Sequence, residues 1–142
     1  MKNLAPRVGK GLLLTIVLSL SVGFWAVMVP CPAGAEQTAK YYGILADVLC
    51  ATRGTALDGA DMMKHPEKHT VACLKEPPCV ASGYGILTKG QDESYTFHKF
   101  DKKGNELASE LIKKTPKKDQ LWVDVTGQTK DGILSVDHIA EK

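Results

Sequence analysis

Cys50, His65, His69, Cys73 and Cys79 fall within a span of 30 residues of this 142-residue chain. Thiolate sulfur and imidazole nitrogen are the donors that borderline and soft ions prefer. The set therefore suits zinc or copper(I) and not calcium or magnesium. The same cysteines have a second chemistry. In an oxidising compartment they pair, and a disulfide contributes ~2–4 kcal/mol to a small domain. Cys50 joined to Cys73 or Cys79 would staple the segment between them to the rest of the fold. A third chemistry, thiol redox, lacks its usual support, because no C-x-x-C pair supplies a resolving partner and no C-x-x-C-H would attach haem.

These residues need elements to position them. His65-Pro66 predicts a short helix running to about Lys75, with proline suited to its first position. On such a helix His69 and Cys73, four residues apart, share one face, and His65 lies one turn earlier at the cap. Pro77-Pro78 then stops the helix and turns Cys79 back beside Cys73. Cys50, at the end of a first strand over 39–49, adds a further sulfur. The metal-ligand set expected from spacing is Cys50, His69, Cys73 and Cys79, with His65 as an alternate. Cys73 would sit late in its helix, the wrong end for the dipole to activate a thiolate.

Beyond this cluster, Ser82-Gly83-Tyr84-Gly85 is a candidate ligand-binding loop. Its glycines allow close backbone approach, and Tyr84 could stack on a ligand. The competing reading is a bulge or bend at a strand entry. Lys113, Lys114, Lys117 and Lys118 around Pro116 form a basic cluster that reads as a solvated helix end. No phosphate loop and no Ser/His/Asp pattern is present, so no catalytic residue is assigned.

The frame around these features is mainly β. Strands are expected over 39–49, 84–89, 94–100, 121–126 and 133–139, the last two joined by a turn at Lys130-Asp131-Gly132. Residues 51–61 read as a turn-rich loop. Asn105 is expected to cap a helix whose Leu107, Ala108, Leu111 and Ile112 form one apolar face. Five strands with a helix between the third and fourth is the connectivity of the OB-fold, a small barrel. The Cys/His region, about 51–79, is then a helical insertion in that barrel.

The N-terminus has the parts of an export signal: Lys2, Arg7 and Lys10, an uncharged apolar run over 11–29, then Ala33-Gly34-Ala35 before Glu36. The run is long enough that an uncleaved inner-membrane anchor is the alternative to a cleaved signal over 1–35. Cys31 follows Met28, Val29 and Pro30, a poor match to a lipidation site. Residues 36–142 make one domain. Three of the 18 Lys and Arg residues fall in 1–35 and none of the 16 Asp and Glu residues does. The domain's net charge is therefore −1, and the whole-chain +2 is no argument for a nucleic-acid partner.

His69-x3-Cys73, Cys79-x2-Ser82-Gly83-Tyr84-Gly85, Lys99-Phe100-Asp101 with Gly104-Asn105, and Val123-x-Val125-x-Gly127 together resemble a group of small exported bacterial proteins of uncharacterised function. The resemblance covers most of 42–139. It implies a single OB-like domain behind a signal peptide, periplasmic or extracellular, and carries no activity with it. The leading expectation is an exported, non-enzymatic domain, stapled by a disulfide, that binds a small ligand or an envelope partner. A zinc or copper protein built on the Cys/His cluster is the first rival, and a thiol-redox envelope protein the second.

Overall fold

The computed structural model describes residues 38–142; the expected signal over 1–35, its apolar run and Cys31 lie outside them. The element order is β1 (Ala39–Asp47), α1 (Val48–Arg53), a 3-10 turn (Pro66–Lys68), α2 (Val71–Leu74), α3 (Pro77–Ser82), β2 (Tyr84–Lys89), β3 (Tyr95–Phe100), α4 (Lys102–Lys114), β4 (Trp122–Lys130) and β5 (Ile133–Glu141). The domain is mainly β. Its five strands form one mixed sheet whose hydrogen bonding runs as a ring, β1-β2-β3-β5-β4 and back to β1. Four junctions are antiparallel. The β3–β5 junction is parallel and brief, pairing Lys99 with Ile133 and Phe100 with Leu134. Among the described residues no helix is long and apolar enough to cross a membrane.

Alternation along β4 turns Val123 and Val125 inward beside Leu121, as the pattern over 121–126 predicts. At the β4–β5 turn, Asp131 and Gly132 both have positive φ, 51° and 78°, the backbone of a two-residue hairpin. Helix α4 lays Ala108 and Ile112 on this core, which also holds Leu45, Tyr84, Ile86, Phe100, Leu134 and Val136. The helix starts earlier than expected. Asp101, not Asn105, is its cap, accepting the Gly104 N–H at 2.8 Å. Asn105 instead accepts the Tyr84 N–H and donates to the carbonyls of Phe100 and Asp101.

The insertion departs most from the sequence expectation. The first strand ends at Asp47, whose carboxylate caps α1 by accepting the Cys50 N–H at 2.9 Å. A side-chain cap there overrides the strand preference of Val48 and Leu49. The single helix expected from His65 to Lys75 is two pieces. Thr70 accepts the Cys73 N–H and starts α2 afresh, leaving His69 extended (φ −66°, ψ 126°) between the 3-10 turn and the helix. Pro77-Pro78 does not merely end a helix. It occupies the opening positions of α3, where the missing N–H groups cost nothing. The insertion encloses a second core of Cys50, Met62, Cys73, Cys79, Leu87 and four alanines, at positions 46, 51, 56 and 60.

Candidate metal centre

Breaking the expected helix changes how the site is made. His69 and Cys73 do not converge by sharing a helix face; they converge because three short elements meet under the sheet. Cys50 comes from α1, Cys73 from α2 and Cys79 from α3, and all three are buried. His69 enters from the extended residue ahead of α2 and is 2% exposed.

His69 is held at both ring nitrogens by carboxylates. Nε2 lies 3.1 Å from Asp47 Oδ2, and both side chains are fully buried. Nδ1 lies 3.2 Å from Asp58 Oδ2. That Asp58 oxygen also accepts the Thr70 N–H at 2.7 Å and the Thr70 hydroxyl at 2.8 Å. Asp47 thus ties α1 to His69, and Asp58 ties the loop after α1 to the start of α2. Burial pushes both carboxyls up, yet both lie below their ordinary values. For Asp47 the hydrogen bonds from His69 and Cys50 outweigh burial; for Asp58 those from Thr70 and the Ala60 N–H do.

The thiols are in the opposite state. Burial pushes Cys50 up to about 12; a backbone hydrogen bond with Leu57 opposes the rise and the Asp47 carboxylate adds to it. Burial, then the Asp47 and Cys50 charges, push Cys79 up as well. Cys50 and Cys79 are therefore neutral thiols near pH 7, a poor starting point for a redox nucleophile. A thiophilic cation that replaces their protons would make them ligands.

Two overlapping sets of donors converge. One ligand atom each from Cys50, His69 and Cys73 lie within 4.8 Å of one another, and so do atoms from Asp47, Cys50 and Cys79. The buried Cys50–His69–Cys73 group could hold a metal ion. Cys50 is common to both sets. Its sulfur is 3.9 Å from the Cys79 sulfur, against the ~2.05 Å of a covalent S–S bond. The three cysteines are free thiols, and no disulfide is present among the described residues.

The other expected features fall elsewhere. His65 is exposed, pairs with Glu67 at 3.1 Å and belongs to neither donor set. Tyr84, the ring that the binding-loop reading would use for stacking, is 3% exposed. Its hydroxyl donates to the Leu74 carbonyl at 2.9 Å. Ser82 donates to the Cys79 carbonyl and accepts the Leu49 N–H. Gly83 (φ 84°) ends α3 in a backbone that an L side chain rarely adopts, and a Cβ on Gly85 would strike the His98 carbonyl and the Phe97 ring. The SGYG segment is thus a joint between α3, the sheet and α4. Its outer side borders an open groove of about 590 Å³ shared with Lys99, Asn105 and Lys113. In the basic cluster, Lys114 faces Glu110 and Lys117 faces Glu141, each at 3.6 Å.

Asp47 and Asp58 are the site residues that spacing did not disclose. Asp47 carried a usable signal, a capping-type residue three before a cysteine; Asp58-Gly59 reads as a turn and nothing more. Comparison of the chain with protein-family models, with curated proteins and with solved structures finds no match.

Proposed function

We propose that this chain is an exported, non-enzymatic OB-like domain whose inserted helices bind a thiophilic metal ion, zinc or copper. Cys50, Cys73 and His69 are its ligands, with Cys79 in reserve. One observation carries this reading: two sulfurs and a ring nitrogen from three separate segments lie within 4.8 Å of one another in a buried core. Asp47 and Asp58 support it. When His69 gives one nitrogen to the ion, the other keeps its carboxylate, the arrangement that orients histidine ligands in metal sites. Five strands, with a helix between the third and fourth, support the OB-like reading. Export rests on the N-terminal sequence, and the groove beside Ser82 and Gly83 is a place for a small ligand or envelope partner.

The test is the stability of the full chain, kept reduced and without oxygen, with and without one equivalent of metal. A site binding the native state adds about 2.7 kcal/mol when free metal is 100 times the dissociation constant. Cys73→Ala should abolish that gain. Equal melting points with metal and with chelator would overturn the reading.

A second reading, a Cys50–Cys79 disulfide stapling α1 to α3, is favoured by the 3.9 Å approach of the two sulfurs. Peptide mapping without reduction separates the two: a Cys50–Cys79 cross-link supports the staple, and three alkylated cysteines at 50, 73 and 79 support the metal site.

A further inference from the structure

The second core is filled in an unusual way. It holds the alanines at 46, 51, 56 and 60 and Leu87, with Tyr95 and Phe97 packed against it, and four of its buried side chains carry sulfur: Cys50, Met62, Cys73 and Cys79. Met62 is fully buried, and its N–H donates to the Gly54 carbonyl at 3.0 Å, which pins it below the end of α1. Its neighbour Met63 is 49% exposed. Each converging donor set among the described residues has three members, not the four that close a structural zinc site. Thioether and thiolate sulfur together select monovalent copper, which accepts two or three soft ligands and which thioethers bind far better than they bind zinc. His69, meanwhile, has a carboxylate oxygen within hydrogen-bond distance of each ring nitrogen, so it must give up one of those contacts to bind the ion, while a thioether gives up no proton.

We propose that the ion is copper(I) and that Met62 gives its thioether to it, beside the thiolates of Cys50 and Cys73; this rests on the metal reading above. Binding is a displacement without redox change. Each thiol releases a proton and forms a copper–sulfur bond, while Met62 donates a lone pair and releases nothing.

The experiment uses the full chain, reduced and under argon, labelled with 13C at the methionine methyl groups. Copper(I) is delivered from a competing chromophoric copper(I) chelator, and zinc(II) is the comparison ion. The expected result is one bound copper, retained against a large excess of zinc, with the Met62 methyl resonance shifted and the exposed Met63 resonance unmoved. Met62→Leu should weaken copper(I) binding by about 10-fold or more, worth ~1.4 kcal/mol, and leave zinc binding unchanged. Zinc displacing copper, or a Met62 methyl that does not move, overturns the copper assignment while the metal reading stands. If neither ion binds the reduced protein, the metal reading fails and this assignment fails with it. The methyl shift is read on the unsubstituted chain, so the outcome does not depend on the variant folding.

Discussion

The two cores of this domain share one sheet and are built from different atoms. The larger is hydrocarbon: Leu45, Ile86, Phe100, Ile112, Val123, Val125, Leu134 and their neighbours interdigitate between sheet and α4. The smaller is rich in alanine and sulfur, with Leu87 inside it and Tyr95 and Phe97 packed against it, and Asp47 and His69 are buried too. A hydrocarbon core needs nothing but volume and shape. The smaller core buries the Asp47 carboxylate and the His69 ring, polar groups that are costly to bury, beside three thiols. The contrast assigns the fold to one core and the chemistry to the other.

That comparison can be broken in order of effect. Phe100→Ala, in the hydrocarbon core, should cost ~3–5 kcal/mol by denaturant unfolding, equally with and without metal. A loss that metal repairs would mean the cores are not separate. His69→Ala should cost about 3 kcal/mol in the metal-free protein, because it leaves the Asp47 carboxylate buried without its partner. That cost arises whether the cysteines hold a metal or a disulfide, because His69 is buried. The buried position makes it a poor discriminator between metal and disulfide, and Cys73→Ala replaces it.

The smaller core and its carboxylates also set a pH response. Asp47 and Asp58 lie below their ordinary values, so their contribution is fully present above about pH 4 and is lost as pH falls through the lowered native values. Cys50 is raised, so its contribution is present below the ordinary thiol value of about 8.5 and is lost as pH climbs toward about 12. Stability should therefore form a plateau between those limits. Cys50→Ala should lessen the loss of stability between pH 7 and 10 in urea titrations without removing it, because Cys79 is raised as well. The smallest effect sharpens the boundary: Met63→Leu, at an exposed position, should change stability by no more than ~0.5 kcal/mol and metal affinity not at all.

The hydrocarbon half was legible from sequence because its signals are local. Alternation over 121–126, a turn at Asp131-Gly132 and helical spacing of Leu107, Ala108, Leu111 and Ile112 each specify an element without reference to the rest of the chain. Even there, Asp101 took the cap expected of Asn105, since either side chain can accept from a helix N-terminus. The insertion was less legible because side-chain caps decide it. Asp47 ends a strand against the strand preference of Val48 and Leu49, and Thr70 restarts a helix that the pattern would carry through from Pro66. The cysteines and His69 were identifiable by type. Asp47 offered only its capping type, and Asp58 nothing beyond a turn, because a carboxylate there acquires meaning only when the tertiary fold sets it against His69. Tyr84, whose segment read either as a binding loop or as a bend at a strand entry, lies in the core.

The most direct test of the metal centre is native mass spectrometry of the full chain purified without reductant, chelator or added metal. The expected spectrum shows one thiophilic metal ion per chain, with Cys50, Cys73 and Cys79 unlinked. A metal-free chain two hydrogens lighter, with the cross-link mapped to Cys50 and Cys79, would contradict the metal centre and leave a stapled binding domain in its place.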